Sequence, residues 1–563
     1  MHDPSRPCSG TGPACVSLLT AAILALLPMA ARAATPGAGD ILQQTQPQKP
    51  PAPSSTGTGL SVPAVPKAQL PAGVSFHVTK IEITGNTLFP ASTLHALVAD
   101  GEGKTRDLQQ LEVLAQRITA YYQRHGYSLS RAIIPAQQIR GGIVRLQVIE
   151  ARYGRIGLNN RSRASAGLLQ STLSPLQSGR IIGDHELDRA LLLLSDIPGV
   201  ESHAVLKPGA TVGTSELDVE ANAVPMVTGH LSADNFGNRS TGEARVGGGV
   251  AIYNLLHLGD VLNLDLMTAG RGLDYGRASY DTVLNGHGTR AGVSYSAMHY
   301  NLGGTLSNLR GYGSADVGSG WLRQPLIRSR TLNLYAQAQL DYKKLRDHID
   351  ATGIRTDRHL SDGSLSLSGD VRDNWLVTNA VTSWNAAWTS GKLVFDDATA
   401  AVADAATANT AGNFSKWNAS LARLQALNAR NSLYLQASGQ WTNRNLDSVE
   451  KLVVGGPYSV RGYDMGVLSA DTGYLVTAEL RHQFDARWQV KAFWDSEHAR
   501  VNGKPWIGGV NKYTLADAGL GVELNAPHQW KLEGYVASPV GSVPAAVTSN
   551  NRVHGWVKLS KLF

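Results

Sequence analysis

The chain has 563 residues, a formal net charge of +7 and 17% charged residues; its length allows several domains, and so modest a charge excludes a polybasic, nucleic-acid-binding chain. Glycine is abundant at 59 residues, and hydrophobic residues reach 42%. Beyond the N-terminal segment no apolar run approaches the ~20 residues of a membrane helix, so any membrane crossing has to be made by a closed barrel, the other structure that satisfies backbone polar groups in lipid.

Residues 1–33 have the plan of a secretory signal peptide: Arg6 in a polar lead, a mostly apolar run over 16–29, and a small-residue cleavage site at Ala31-Arg32-Ala33. Both cysteines, Cys8 and Cys15, lie in this segment. Neither follows the apolar core as a lipid-anchored cysteine would. The processed chain is therefore expected to carry no disulfide, thiol nucleophile or thiolate metal site, which fits a bacterial envelope better than a small secreted scaffold. Residues 34–74 form the next region. GDILQQTQPQ, residues 39–48, reads as a short amphipathic helix with Asp40 as its cap. KPPAPSSTGTG follows as a Pro/Ser/Gly linker that cannot hold a packed core.

Residues 75–224 read as two α+β modules of about 75 residues each, a workable domain size. FHVTKIEITGNTLFP alternates and is rich in β-branched residues, so it is a strand ending in a turn. TRDLQQLEVLAQRITAYYQRHGY places Leu108, Leu111, Ala115, Ile118 and Tyr122 at three- and four-residue steps on one helix face, and Gly126 ends it. GGIVRLQVIEARYGRI returns as a strand with Val144, Leu146 and Val148 on one face. A second cycle follows, with RYGRIGLNN as a strand, DHELDRALLLLSDIPGV as a helix carrying Leu187, Leu191 and Leu194, and SELDVEANAV as a strand. The tyrosine pair and the leucine stripes are core material.

From residue 225 to 563 the pattern is strand after strand. In TLNLYAQAQLDYKKL, Leu332, Leu334, Ala336, Ala338, Leu340 and Tyr342 point one way and the polar residues the other. ADAGLGVELNA repeats this, with Ala518, Leu520, Val522 and Leu524 opposite Asp517, Gly519, Gly521 and Glu523. Alternation suits a soluble sandwich, apolar side inward, or a membrane barrel, apolar side on lipid. The apolar face is modest in bulk and the polar face is rich in Gly, Asn and Gln, which favours the barrel; the final strand RVHGWVKLSKLF ends on Phe563, which resembles the aromatic-terminated last strand of outer-membrane barrels, a point of resemblance and not of periodicity. Lys561 breaks the apolar face of Val553, Val557 and Leu559 and is placed near the interface, where it can snorkel. At about 10 residues per strand the region holds on the order of 16 strands. Residues 390–416, rich in Ala, Thr, Asp and Asn, interrupt the strands as a long polar outer loop, either a binding loop or an insertion without a role.

No G-x-S-x-G elbow or HExxH spacing occurs, and GGGVA at 247–251 lacks the strand–turn–helix context of a dinucleotide site. An enzyme is not expected: no catalytic residue, metal site or cofactor site is assigned.

NLDSVEKLVVGGPYSVRGYDMGVLSADTGYLVTAELR, residues 445–481, resembles the transporters of two-partner secretion, the ShlB/FhaC/HecB type, in the outer-membrane superfamily that also holds the barrel-assembly factors. The Arg-Gly-Tyr tip is shared across the superfamily, while Leu-Asp-Ser-x-Glu-Lys and Gly-Gly-Pro are more particular to the secretion branch. PGAGDILQQTQPQKPPAPSSTGTGL resembles the family's plug helix and linker, with Asp40, Ile41, Leu42, Gln43 and Gln44 in the helix. ADNFGNRSTGEARVGGGV resembles its first barrel hairpin, and GSGWLRQPLIRSRTLNLYAQAQLDY a middle strand. The resemblance covers essentially the whole processed chain, in order. It implies a membrane all-β fold: a transmembrane barrel of about 16 strands (225–563), preceded by two periplasmic α+β POTRA domains (75–151 and 152–224) and a plug helix with its linker (34–74). It further implies an integral outer-membrane transporter that receives one large secreted partner, of the haemagglutinin or haemolysin kind, and exports it unfolded. Lipid and the barrel-assembly machinery are its other implied partners; nucleic acid is not one. A barrel-assembly or insertase factor is the alternative, though such factors usually carry more POTRA domains and lack the plug and linker; a diffusion porin would need neither POTRA pair nor inward tip.

The same resemblance gives GGPYSVRGYD, residues 455–464, a place inside the barrel. Val460, Arg461, Gly462 and Tyr463 form the tip, and Arg461 meets an aspartate of a Phe-x-Asp strand, here Asp495 in KAFWDSE. Strand parity agrees, since Asp495, Phe493 and Lys491 share one face and Trp494 and Ala492 the other. A guanidinium can hold a carboxylate bidentately where lysine cannot, and Gly462 permits a backbone shape that a side chain would block. On composition alone the stretch is equally a solvent-exposed turn with an incidental arginine.

Overall fold

Period-two patterning decides where the strands of the C-terminal region face. In a computed structural model of the chain, Leu340 is 71% exposed, whereas its neighbours Gln339 and Asp341 line an interior cavity with Lys343, Ser364 and Ser366. The same alternation turns Leu365 and Leu367 outward on the next strand, paired so that Gln339 sits opposite Ser364 and Ala338 opposite Leu365. Apolar side chains outside and polar ones inside are the inverse of a soluble sandwich. The structure describes residues 35–45, 52–62, 75–376, 378–547 and 552–563; the signal peptide expected at 1–33 lies outside them.

Among the described residues sixteen antiparallel strands close into one barrel, from Val227–Asp234 to His554–Leu562, which pair with each other to complete the ring. The longest are Gly311–Arg328, Leu332–Ile349 and Ile354–Asp373, with 18, 18 and 20 residues. Only about 10 residues are needed to cross the apolar band, so these strands continue well beyond it. Exposed Trp388, Trp417, Trp441, Trp488, Trp494 and Trp530 supply aromatic anchors of the kind found at membrane interfaces. Lys561 sits over the Trp530 ring, 5.9 Å from its centre.

The outer segment 390–416 is shorter as a loop than its composition suggests. The flanking strands run to Phe395 and resume at Gly412, and the alanine-rich middle forms a helix, Ala398–Ala405. Asp397 caps it, accepting from the amides of Thr399 and Ala400 at 2.7 and 2.9 Å. Alanine has the best helix propensity and aspartate is a favoured cap.

Ahead of the barrel stand two α+β units. In the first, the helix Leu108–Arg124 opens with a capping box, Asp107 accepting from the Gln110 amide while the Gln110 side chain accepts from Asp107. It buries Leu111, Leu114, Ala115, Ile118 and Tyr122 against Ile81, Val144, Leu146 and Val148. Leu114 joins the predicted stripe, and Leu108 is only half-buried. Lys80–Thr84 pairs parallel with Ile143–Ile149, and Arg131–Ile133 antiparallel with it. In the second unit the helix Asp184–Ser195 buries Leu187, Leu191 and Leu194 as expected. Arg152–Arg161 pairs parallel with Thr214–Ala223, which pairs antiparallel with Val200–Pro208. Each fully buried leucine contributes about 1.5–3 kcal/mol. Patterning did not reveal the short helices Ala91–Ala96 and Ala166–Leu173 or the strand Val200–Pro208. The linker also departs from expectation: Leu60–Ser61 is a strand on the second unit, parallel to Val200–Pro208.

The second unit is fastened to the barrel mouth. Arg189 donates to the carbonyls of Pro325 and Leu326, Arg328 binds Asp196, and Arg330 binds Asp188 at 2.6 Å. The Asn254 side chain donates through Nδ2 to the Pro198 carbonyl at 2.7 Å. These contacts fall on strand ends and turns at one end of the barrel and mark that end as the one facing the second unit.

Candidate functional site

Between the barrel strands Asn431–Trp441 and Thr472–Gln483 the chain does not turn outward. It folds into the lumen as a hairpin whose arms, Leu452–Val454 and Leu468–Ala470, pair with each other. Gly455 and Gly456, at φ 90° and 104°, and Gly466, at 64°, make the reversals, a region that side chains disfavour. GGPYSVRGYD is the tip of this hairpin.

Arg461 is buried. Its Nε and Nη2 donate to the two oxygens of Asp495 at 2.7 and 2.9 Å, and Nη1 donates to Glu479 at 2.7 Å. The guanidinium lies 3.4 Å above the centre of the Phe493 ring, a cation–π contact stronger for being desolvated. Its carbonyl accepts from the Trp556 indole at 2.8 Å. Asp495 and Glu497 are buried on the inner face of Trp488–Arg500, while Trp494 is 44% exposed on the outer face. Val460 and Tyr463 pack with Val454, Leu475, Ala499 and Leu515, and the Tyr463 hydroxyl donates to the Ala516 carbonyl at 3.3 Å. Gly462 has no left-handed φ, so its reason differs from the one expected. A Cβ there would lie 2.6 Å from the Asp517 Cβ and 3.0 Å from the Pro539 nitrogen; the constraint is space against the wall, not backbone shape.

The other end of the hairpin is tied across the lumen. Glu450 receives Lys343 at 2.5 Å and Lys416 at 2.8 Å, and Asp447 receives Arg358, which also binds Asp347 at 2.7 Å. Lys451 pairs with Asp471 at 3.2 Å. Buried charges are costly unless paired; Glu450 is held by lysines of two different barrel strands and Asp447 by an arginine of a third. Glu479 and the wall partners Lys343, Lys416 and Arg358 were not singled out in the sequence; Asp447 and Glu450 entered only as members of the Leu-Asp-Ser-x-Glu-Lys motif, and Phe493 only through the Phe-x-Asp strand and its parity. Glu479 carried a usable signal, because Val476 and Leu480 face outward and so turn Glu479 inward.

The helix Ala38–Thr45 fills what the hairpin leaves. Ile41 and Leu42 are buried against Leu345, Leu360, Leu393, Phe414, Leu446 and Val449. The Ala38 amide donates to Asp347 at 2.7 Å, and Gln43 donates to the Val449 carbonyl. A side chain at Gly39 would overlap the Ser448–Val449 backbone, so helix and hairpin are in direct contact. Asp40 is inside the first turn and accepts from the Gly37 amide at 3.2 Å; it is not the cap, a part that Asp347 of the barrel wall takes. Gln44 is buried against Gly466. The helix is described as far as Thr45, and residues 46–48 of the predicted stretch lie outside the described residues. Beside helix and hairpin a cavity of about 430 Å³ remains in the lumen. Among the described residues no cluster of His, Cys, Asp and Glu has the geometry to hold a metal.

The arrangement is a barrel with its passage occupied by two of the chain's own segments, each held by bonds that can be exchanged. Comparison with known proteins agrees. The family model described as haemolysin secretion/activation protein ShlB/FhaC/HecB matches residues 213–523, and that of the ShlB-type POTRA domain matches 76–151. The heme/hemopexin transporter protein HuxB of Haemophilus influenzae is 26% identical over 88% of this chain and 89% of its own length. The outer membrane transporter CdiB of Dickeya dadantii is 23% identical over 74% of each chain. The solved structure of CdiB from Escherichia coli superposes with a TM-score of 0.67 at 20% identity, covering 89% of this chain and 93% of that one, a likeness of fold. The chain belongs to the ShlB/FhaC/HecB family of haemolysin secretion/activation proteins, and is a two-partner secretion transporter integral to the outer membrane, with its POTRA region in the periplasm.

Proposed function

We propose that this transporter takes its one large exoprotein from the periplasm as an extended chain, by strand addition to its POTRA sheets, and passes it through the lumen once plug helix and hairpin have shifted. The observation that carries the reading is the double occupancy of the lumen: the helix Ala38–Thr45 and the hairpin tip block the passage through polar, exchangeable contacts, Ala38 on Asp347 and Arg461 on Asp495 and Glu479. A sheet edge offers main-chain hydrogen bonds to an extended peptide regardless of its exact sequence. A structural polar network of this kind serves a passage that must close when empty. No nucleotide is at hand outside the inner membrane, so folding of the exported chain at the surface supplies the direction. The chain acts here as a conduit, not a catalyst. Its exposed apolar belt contacts outer-membrane lipid, and its own insertion uses the barrel-assembly machinery.

Deleting the gene and comparing surface proteomes tests the reading. Loss of a single exoprotein is the expected result; broad loss of other barrels would mean an assembly factor instead. A partner mutant unable to fold at the surface, yet exported at the normal rate, would count against folding as the driving force.

A further inference from the structure

The linker strand Leu60–Ser61 lies where no core requires it. It runs parallel to Val200–Pro208 of the second unit, Leu60 beside Ala204 and Ser61 beside Val205, and the Ala204 amide donates to the Gly59 carbonyl at 2.9 Å. The other neighbour of Val200–Pro208 is Thr214–Ala223, so without the linker Val200–Pro208 is the outer strand of the sheet. An outer strand presents unpaired amides and carbonyls and is a template for another chain.

The linker's hold on this edge is short. Two of its residues pair with a strand of nine. Leu60 reaches the second unit's core but is only partly buried, and Val62 is 50% exposed. Gly59 sits at φ 61°, and a side chain there would run into the Ser202 carbonyl. On its N-terminal side the linker is stitched across the joint between unit and barrel by polar contacts. The Ser54 amide and hydroxyl donate to Asp370 at 2.9 and 2.6 Å. Arg372 donates to the Ser54 carbonyl at 2.6 Å, and Arg330 to Thr58 at 3.3 Å. Arg328 is fully buried; it donates to the Ser55 carbonyl at 2.8 Å and to both oxygens of Asp196 at 2.7 and 2.8 Å.

One sheet edge holds one strand. We propose that Leu60–Ser61 is a placeholder on the docking edge of the second POTRA unit, displaced when an extended segment of the secreted partner pairs with Val200–Pro208, so that partner capture and linker release are a single event. The inference rests on the transporter reading above. The occupant is specified by the edge: an extended, β-prone stretch running parallel to Val200–Pro208, with an apolar side chain in the place of Leu60 and the next side chain turned out. A segment longer than two residues pairs with more of the strand and displaces the linker. Release also acts on the plug. While Ser54 is held, the span from Thr45 to Ser54 lets the end of the plug helix lie at most ~32 Å from that anchor; freed through Ser61, the tether reaches back to Ser75 and is about three times as long.

The test uses the full chain in its own host. The exoprotein is first identified as the surface protein lost on deleting the gene; if none is lost, the transporter reading fails and this inference with it. Ser61→Cys with Val205→Cys then places two cysteines on paired parallel strands, ~4.8 Å apart, in a compartment where disulfides form. The bridged variant is expected to release at least tenfold less exoprotein than the same double variant after its bridge is reduced with dithiothreitol. Wild-type export from a quantitatively bridged variant overturns the proposal and leaves the transporter reading standing. Should the bridge not form, Gly59→Val decides: with a photo-crosslinker at position 205 it should capture at least threefold more exoprotein than the unaltered linker, and equal or lower capture overturns the proposal.

Discussion

Arg461→Ala removes a guanidinium that makes three charge-assisted hydrogen bonds to two buried carboxylates. Breaking a buried pair by deleting one partner costs about 3–5 kcal/mol, because the other charge is left unmatched. Arg461→Lys keeps the charge but loses the planar fork and its seat on the Phe493 ring, so about 2 kcal/mol is expected. If the whole cost falls on docking of the tip, opening of the hairpin rises about 100-fold or more in the alanine variant and about 30-fold in the lysine variant, at 1.4 kcal/mol per decade. Hydrogen exchange of amides 456–467 in the full-length protein measures that opening directly, since local exchange reports local unfolding free energy. Arg461→Ala combined with Asp495→Ala should cost less than the sum of the two, as expected for groups in contact. In cells, export of the exoprotein should fall more than insertion of the barrel. Unchanged exchange at the tip would refute the energetic reasoning, and normal export from Arg461→Ala would refute the role assigned to the arginine.

Gly462→Ala should reproduce the Arg461→Ala exchange and export phenotypes with Arg461 in place, because the added Cβ would meet the Asp517 side chain at 2.6 Å; wild-type exchange would show that the wall yields. Asp347→Ala takes the partner from the Ala38 amide and one of two carboxylates from Arg358. At about 2 kcal/mol for hydrogen bonds to a charged group, plug departure should rise about 30-fold, read as open probability in planar bilayers, and an unchanged value would refute the coupling. In the first POTRA unit, burial pushes the Glu150 carboxyl up, but the Thr87 hydroxyl, the amides of Leu88 and Thr87 and the Tyr122 hydroxyl together hold it below the ordinary 4.5. A depressed carboxylate stabilises the fold above its unfolded-state value and loses that contribution as pH falls through the folded one. Protection of the helix Leu108–Arg124 should therefore decline below pH 4.5, and Glu150→Gln should flatten that decline; an equal slope in the two proteins would refute it.

Much of the architecture is written in local pattern. Leu332 to Tyr342 alternate, which sets Leu340 and Gln339 on opposite faces because side-chain direction in a strand has a period of two; that Leu340 meets lipid and Gln339 the lumen followed from the modest bulk of the apolar face and the Gly, Asn and Gln opposite it. The same parity placed Asp495 inward beside an outward Trp494, and the helical stripe from Leu111 to Tyr122 placed one core. The inward tip came from resemblance to a family, not from periodicity: GGPYSVRGYD in isolation is an ordinary turn.

What the chain order could not decide is which inward groups meet. Glu479 and Asp495 lie on adjacent strands and share Arg461 only because the hairpin between Trp441 and Thr472 enters the lumen and brings position 461 to both. Glu450 meets Lys343 and Lys416, from strands far apart in sequence, only because the barrel has closed around the hairpin. Leu60 and Ser61 show the same limit from the other side: a Pro/Ser/Gly-rich stretch with no core of its own became a strand because Val200–Pro208 offered an unfilled edge. The sequence by itself determined the two α+β units and the faces of the strands and helices, since those follow from periodicities within a few residues, while the barrel rested on face composition and on resemblance to a family. The tertiary structure alone decided the ion-pair partners beyond Arg461 and Asp495, the seat of Asp40 within the plug and the pairing of the linker, since each depends on contacts between segments that no local period relates.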